Sequence, residues 1–213
     1  MHSLFEYGLL AFTSIFTMVN PLGIIPVYAS MTAEMSTKEA RQVAIKAVST
    51  AFITLTVFAF SGKFIFEFFQ ISVNSLRVVG GIIFFMAGFD MLQARLIRTK
   101  SDEETTKEFA NDIAITPLAI PLICGPGAIT ASIVMMNDAV AIPEKAVLFS
   151  IIFLILGITL LVLLSARKVM TFLGDSGNKV LMRIMGLIVM VIAVEFLFSG
   201  LKPILRDIFM LNK

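Results

Sequence analysis

The sequence has a single cysteine, Cys124, a single histidine, His2, and no tryptophan. One cysteine excludes an intramolecular disulfide and a zinc cluster held by thiolates. One histidine excludes a histidine metal site and a catalytic triad built on histidine. The chain also lacks a Gly-x-Ser-x-Gly nucleophile elbow and a phosphate-binding loop. The sequence therefore predicts no enzyme, no metal site and no cofactor.

Charge is also scarce, because charged residues make up 15% of the chain and the net charge is only +2. Such a small net charge does not favour nucleic acid as a partner, and no basic run is interleaved with aromatic residues. By contrast, 58% of the residues are apolar and the mean hydropathy is +0.94, far outside the range of ordinary soluble domains. The composition therefore predicts an all-α protein of the lipid bilayer.

Apolar runs of about twenty residues have the length of a helix that crosses about 30 Å of hydrocarbon. The chain contains six such runs, at residues 4–30, 42–62, 74–93, 113–136, 146–165 and 181–201. The first run has no positively charged segment before it, so we expect a retained membrane helix rather than a cleaved signal peptide. A polar stretch at the centre divides the chain into a first three-helix half, a linker and a second three-helix half, at residues 1–94, 95–112 and 113–213.

The distribution of lysine and arginine predicts the orientation of the helices. If the N-terminus lies outside, the inner loops hold eleven of these residues and the outer segments hold six. The positive-inside rule therefore predicts that both termini lie outside and that the linker is cytoplasmic.

Proline and glycine interrupt the first and fourth apolar runs at corresponding places. The segments are Asn20–Gly23 and Gly125–Gly127, and their prolines lie 105 residues apart. Each proline removes a backbone donor, and the neighbouring glycines loosen the backbone. Because lipid offers no replacement hydrogen-bond partners, such breaks survive only where they face protein, a cavity or a ligand. One break alone would also fit a simple proline kink, but paired breaks indicate the binding site of a transporter.

The two halves share further residues. At a shift of 106 positions, Arg77 falls on Arg183 and Gly80 falls on Gly186. Apolar sequences match each other by chance, yet matched arginines and glycines favour a duplication. Three helices in each half then give the halves opposite orientations in the membrane. We therefore predict six transmembrane helices in two inverted-topology three-helix repeats, with discontinuous first and fourth helices whose breaks meet near the midplane.

A break exposes amide N–H groups at the start of one helix and carbonyl groups at the end of the other. The amides suit a carboxylate and the carbonyls suit an ammonium group, so a zwitterionic amino acid matches both. Asn20 adds a donor and an acceptor at the first break, and Thr17 lies at helical spacing before it. Thr130 lies on the face that leads away from the second break. We therefore regard these three side chains as candidate substrate ligands.

Glu195 and Asp90 are acidic residues within apolar spans. A carboxylate in hydrocarbon is costly, so it pairs, is protonated or faces water. Glu195 is therefore a candidate carrier of a coupling proton, and Asp90 is a weaker one. The alternative for both is a position at the membrane interface, which is favoured for Asp90 because Arg95 follows it closely.

Other small residues and prolines have structural interpretations. Gly80, Gly81 and Gly88 make one side of the third span small, which favours close packing against another helix. Pro117 and Pro121 are interpreted as kinks rather than as ligand contacts.

The segments Asn20–Pro26 and Pro117–Ile129 resemble the MarC family of bacterial and archaeal inner-membrane proteins, and the resemblance extends over essentially the whole chain. It implies a multi-pass protein of the inner (plasma) membrane that transports small neutral amino acids such as glycine and alanine. The implied driving force is an ion gradient, with H+ as the expected coupling ion. Matching the motifs carries a substrate-binding role onto Asn20, Pro21, Gly23, Gly125, Pro126 and Gly127.

The favoured function is secondary-active transport by alternating access, in which one repeat rocks against the other. One alternative is a passive channel or exporter for small polar solutes, which needs a continuous polar pore. Another is a membrane component that does not transport and acts through a partner. The expected partners are a small neutral amino acid, H+ and the lipid bilayer, and a homo-oligomer is left open.

Overall fold

The structure is a computed structural model that describes residues 4–32, 35–70, 72–93 and 113–209. Every regular element in these ranges is a helix, which confirms the all-α class. The helices are α1 (Leu4–Val19), α2 (Ile25–Met31), α3 (Thr37–Phe69), α4 (Val73–Leu92), α5 (Ala114–Ile123, of the π type), α6 (Pro126–Asp138) and α7 (Ile142–Ile208). The predicted linker, residues 95–112, lies outside the described residues.

Among the described residues, four segments are long and apolar enough to cross a membrane: Thr37–Phe69, Asn74–Leu92, Ile142–Ala166 and Arg183–Ile208. Helices α5 and α6 meet this criterion only together, as a pair bent by 59°. The described residues thus contain four or five candidate spans, whereas the sequence predicts six. The difference arises in the first run, because its break divides it into helices of 16 and 7 residues, each too short to cross alone.

Gly174 divides α7 into two parts. Its φ of +65° lies in the left-handed region that glycine adopts without a steric penalty. We call Ile142–Ala166 the N-terminal arm of α7 and Arg183–Ile208 its C-terminal arm. The two arms correspond to the fifth and sixth predicted spans.

Side-chain caps determine where two of the spans begin. The hydroxyl of Ser36 accepts a hydrogen bond from the Glu39 N–H at 3.3 Å, and the Glu39 carboxylate accepts one from the Ser36 N–H at 2.8 Å. This reciprocal capping box starts α3. The Ser72 hydroxyl similarly accepts a hydrogen bond from the Ser75 N–H at 3.0 Å and starts α4.

The core is formed by α1, α2, α3, α5, α6 and the N-terminal arm of α7. One face of α3 is built from alanine and leucine at helical spacing: Ala40, Ala44, Ala47, Ala51, Leu55 and Ala59. Such short side chains allow neighbouring helices to approach closely. Leu148, Ile152 and Ile155 of the N-terminal arm are fully buried in the same core. The Tyr7 hydroxyl ties α1 to α6 by donating to the Met135 carbonyl at 2.8 Å.

Helix α4 packs antiparallel against the C-terminal arm along a line of small residues. These residues recur every seven positions, at Gly81 and Gly88 on α4 and at Gly186, Ala193 and Gly200 on the arm. A Cβ added to Gly81 would lie 2.7 Å from the Ala193 carbonyl oxygen, and one added to Gly88 would lie 2.8 Å from the Gly186 carbonyl oxygen. The two backbones are therefore in direct contact, and the predicted close packing of the third span is confirmed.

We expect Gly81→Ala to lower the stability of the protein, because the new methyl group meets backbone atoms that cannot rotate away. Overpacking of this kind costs about 1–3 kcal/mol. The matched control is Gly157→Ala, because nothing lies within 4 Å of a Cβ added there. Melting temperatures of the purified proteins in detergent test this prediction, and equal values for the two variants would contradict it.

Candidate functional site

The first break is a tight turn at Asn20, between α1 and α2. The Asn20 N–H donates to the Phe16 carbonyl at 2.9 Å and completes the last turn of α1. Asn20 itself has a φ of +46°, and the Gly23 N–H then donates to its carbonyl at 3.0 Å. Asparagine is one of the few residues that tolerate this left-handed conformation. The predicted interruption of the first run is therefore present, and Asn20 is the residue that turns the chain.

The side chain of Asn20 lies directly over Gly23. A Cβ added to Gly23 would lie 2.5 Å from the Asn20 Nδ2 and 3.0 Å from its Cγ. Gly23 and Pro21 are buried, and Asn20 is half-buried. A larger residue at position 23 would therefore push the Asn20 amide out of its place.

The second break lies at Cys124 and Gly125, between α5 and α6. The Cys124 N–H donates to the Ala119 carbonyl at 2.8 Å, and the Cys124 thiol donates to the Ala51 carbonyl of α3 at 3.2 Å. Pro126 is the first residue of α6, a position where its missing N–H removes no helical hydrogen bond. All residues from 123 to 130 are buried, so the break faces protein rather than lipid.

Helix α5, which precedes this break, is irregular. Thr116 and Ile120 have non-helical backbone angles, and each directly precedes a proline, Pro117 or Pro121. The residue before proline is disfavoured in the helical region. This geometry agrees with the interpretation of both prolines as kinks. Because proline also lacks an N–H, carbonyl groups in the preceding turn lose their usual donor.

The start of α6 combines unused amide groups with an unpaired hydroxyl. Gly125 is the N-cap residue and supplies no side chain, and the first-turn amides of Gly127 and Ala128 have no acceptor within the helix. One turn later, Thr130 is only 5% exposed, and its hydroxyl has no hydrogen-bond partner. Ser132, on the same helix, instead donates to the Ala128 carbonyl at 2.8 Å. The positive end of the helix dipole thus coincides with a buried polar group that lacks a partner.

Thr56 of α3 was missed by the sequence reasoning. Its hydroxyl is as buried and unpaired as that of Thr130. On α3, Thr56 lies between Ala51, which meets Cys124, and Gly62, which meets Ile133 of α6. Both unpaired hydroxyls therefore belong to the stretch over which α3 and α6 pack together. The only signal in the sequence is a threonine within an apolar run, and nothing there distinguishes it from Thr54.

Aromatic rings cover the second break. A Cβ added to Gly125 would collide with the ring of Phe84, and one added to Gly127 would collide with the ring of Phe196. The two rings are edge to face, with centroids 6.1 Å apart. The Met18 Sδ lies 2.7 Å from the Cβ position of Gly127, which brings the end of α1 next to the start of α6. The structure therefore places the end of α1, two residues before Asn20, beside the second break.

Three other predicted site residues do not join this cluster. Thr17 is exposed on α1, and Asp90 and Glu195 are exposed on α4 and on the C-terminal arm. Within the described residues, neither carboxylate takes part in an ion pair. The proton-carrying role of Asp90 and Glu195 remains a prediction. In the same part of the chain, histidine, cysteine and carboxylate side chains form no group of three that could hold a metal ion.

Comparison with known proteins identifies related sequences along nearly the whole chain. The family described as "MarC family integral membrane protein" matches residues 5–205. A UPF0056 membrane protein of Methanocaldococcus jannaschii is 39% identical over 92% of this chain and 97% of its own. Others from Pyrococcus horikoshii and Buchnera aphidicola are 37% and 35% identical, over 91% and 96% of this chain and 94% and 97% of their own. No solved structure shows significant similarity.

We expect Thr130→Val to leave the stability of the ligand-free protein unchanged or to raise it. A buried hydroxyl without a partner costs about 1–3 kcal/mol, and valine replaces it with a methyl group of similar size. Thr56→Val should behave in the same way. The control is Thr159→Val, because the Thr159 hydroxyl donates to the Ile155 carbonyl at 2.8 Å and its removal brings no such gain. A lower melting temperature for Thr130→Val than for Thr159→Val would show that the Thr130 hydroxyl has a structural partner.

Proposed function

The chain belongs to the MarC family of integral membrane proteins, and we propose that it is a secondary-active transporter of small neutral amino acids such as glycine and alanine. The observation that carries this proposal is the buried start of α6, where first-turn amides lie beside the unpaired Thr130 hydroxyl. The names of the relatives describe only a membrane protein, so the substrate is argued from the chemistry of this site.

A carboxylate is the ligand that the start of α6 suits best. The amides of Gly127 and Ala128 carry the positive end of the helix dipole, and such helix ends bind anions. The Thr130 hydroxyl would donate a third hydrogen bond to the same group. Because the site is buried, these hydrogen bonds are stronger than they would be in water. The carboxylate of an amino acid would therefore satisfy three donors that the protein leaves without partners.

An ammonium group needs acceptors, and the neighbouring segments supply them. The kinked helix α5 leaves carbonyl groups without their usual donors before Pro117 and Pro121. The Asn20 amide oxygen, at the first break two residues after Met18, would add a side-chain acceptor. The two breaks thus offer the opposite partial charges that a zwitterion requires. Neither break carries a full charge, which fits a neutral amino acid better than a charged one.

The inverted repeat belongs to the same proposal. Helix α4 and the C-terminal arm are the third helices of the two halves, and they run antiparallel. At the shift of 106 positions, Gly88 corresponds to position 194 and Gly186 corresponds to position 80. The equivalent contact would therefore join positions 80 and 194, each one residue from the observed contact of Gly81 with Ala193. A local twofold relation between the halves would produce this near-coincidence. Alternating access would then rock one half against the other around the two breaks.

Proton coupling is assigned to Glu195 and, with less support, to Asp90. These carboxylates lie on the C-terminal arm and on α4, the helices that also carry Phe196 and Phe84. Protonation of these carboxylates would change the free energy of placing the two helices in the membrane. Their position would then change, and with it the cover that Phe84 and Phe196 form over the site.

We expect glycine and alanine to stabilise the purified protein against heat. At a hundredfold excess over Kd the melting temperature should rise by about 5–10 °C. Asn20→Ala should abolish this rise because it removes the acceptor at the first break. Thr13→Ala is the control, because the Thr13 hydroxyl is exposed and donates only to carbonyls of its own helix. A folded wild-type protein that responds to no amino acid would refute the proposed substrate class.

Transport in liposomes tests the coupling. Under an imposed pH difference, glycine should accumulate against its gradient, and Glu195→Gln should reduce this accumulation about tenfold while glycine still binds. The matched control is Glu67→Gln, an exposed residue 4.0 Å from Lys63 at the end of α3. Equilibration without accumulation in the wild type would indicate a passive channel, and the absence of flux would indicate a component that does not transport.

A further inference from the structure

We propose that Phe84 and Phe196 form an aromatic lid over the start of α6, and that this lid restricts the substrate to amino acids whose side chain is a hydrogen atom or a methyl group. The inference rests on the proposed function and deepens it, because it identifies the residues that select the substrate by size. The two rings lie on different helices and meet edge to face above Gly125 and Gly127.

The rings occupy the space that a substrate must enter. The Phe84 ring lies against the backbone of Gly125, and the Phe196 ring lies against the backbone of Gly127. A carboxylate that reaches the Gly127 N–H must therefore push the edge of Phe196 aside. The ring of Phe84 is itself buried, so it has little free space into which it can turn. Any group attached to the substrate's α-carbon would meet these rings first.

Phe84 is held in place by the contact between α4 and α6. A Cβ added to Gly80 would collide with the ring of Pro126, so the backbone of α4 touches the first residue of α6. Phe84 lies one turn after Gly80, on the same face of α4. The glycine at position 80 therefore sets how close the Phe84 ring comes to the break.

The lid opens as one body, because the two helices that carry it are locked together. The backbones of α4 and the C-terminal arm approach directly at Gly81 and at Gly88, where Cβ atoms would lie 2.7 Å and 2.8 Å from the carbonyl oxygens of Ala193 and Gly186. The rings therefore cannot separate widely while this packing holds. A small shift of the pair away from α6 creates a correspondingly small space, which accommodates a methyl group and excludes a branched side chain. The same rings lie against Gly125 and Gly127 and exclude water from the first turn of α6.

The test is a binding series on the purified full-length protein with glycine, alanine, valine and leucine, read as shifts in melting temperature. Wild type should respond to glycine and alanine only. Phe84→Ala or Phe196→Ala should gain a response to valine and leucine of at least half the size of the glycine response. Controls are Phe85→Ala and Phe198→Ala, because these neighbouring rings on the same two helices are exposed. The controls should keep the wild-type selectivity.

Two outcomes separate the lid from the proposed function. A variant that binds glycine as the wild type does and still rejects valine and leucine overturns the lid. A wild-type protein that responds to none of the four amino acids overturns the proposed function. The conservative variants Phe84→Leu and Phe196→Leu replace the alanine variants if those fail to fold, and they should admit valine.

A second measurement tests the lid without any substrate. In a Cys124→Ala background, Thr130→Cys places a single thiol beside the first turn of α6. If the rings cover this position, adding Phe196→Ala should accelerate its reaction with a small methanethiosulfonate reagent at least tenfold. Adding Phe198→Ala should leave the rate unchanged. Equal rates with and without Phe196→Ala overturn the lid, whatever the amino acids do.

Discussion

The whole structure depends on one constraint, which is that a backbone N–H or C=O group inside a membrane must find its partner within the protein. Two segments of this chain cannot meet that requirement as continuous helices, because proline and glycine interrupt them at Asn20–Gly23 and Gly125–Gly127. The fold therefore buries the second break completely and turns the first back on itself through the Asn20 carbonyl. Within the described residues, the buried side-chain hydroxyls that stay unpaired are those of Thr130, near the start of α6, and Thr56 of α3, and a polar ligand has most to gain at such groups.

Glycine and alanine let the backbones of neighbouring helices touch, and these contacts bring the helices around the start of α6. Glycine on α4 meets glycine and alanine on the C-terminal arm, and Gly80 meets Pro126. Each contact lets a helix approach closely enough for a neighbouring ring to reach the break. Lipid provides no hydrophobic drive for helix association, so van der Waals contact along such small-residue lines contributes most of the attraction between these helices. The residues that stabilise the fold and the residues that shape the site are therefore neighbours along the same helices.

Sequence reasoning located the breaks, the α-helical class and the small face of the third span, because each depends on local chemistry that proline, glycine or apolar length makes visible. It did less well with the number of crossing helices, because α1 and α2 together cover the first run although neither is long enough alone. It placed Thr17 in the site since helical spacing put it near Asn20, yet the side chain is exposed. Thr56 and the rings of Phe84 and Phe196 escaped it altogether, because their importance comes from helices far apart in the chain.

The amino-acid sequence was sufficient for the membrane environment and for the positions where helices must break, since both follow from the free energy of placing backbone and side chains in hydrocarbon. Which side chains surround the breaks was settled by tertiary packing. Phe84 and Phe196 are more than a hundred residues apart, and only the antiparallel contact of α4 with the C-terminal arm brings their rings together. Thr130 is likewise an ordinary helical threonine until neighbouring helices bury its hydroxyl without an acceptor. Burial and contact are properties of the assembled helices, and no local pattern along the chain encodes them.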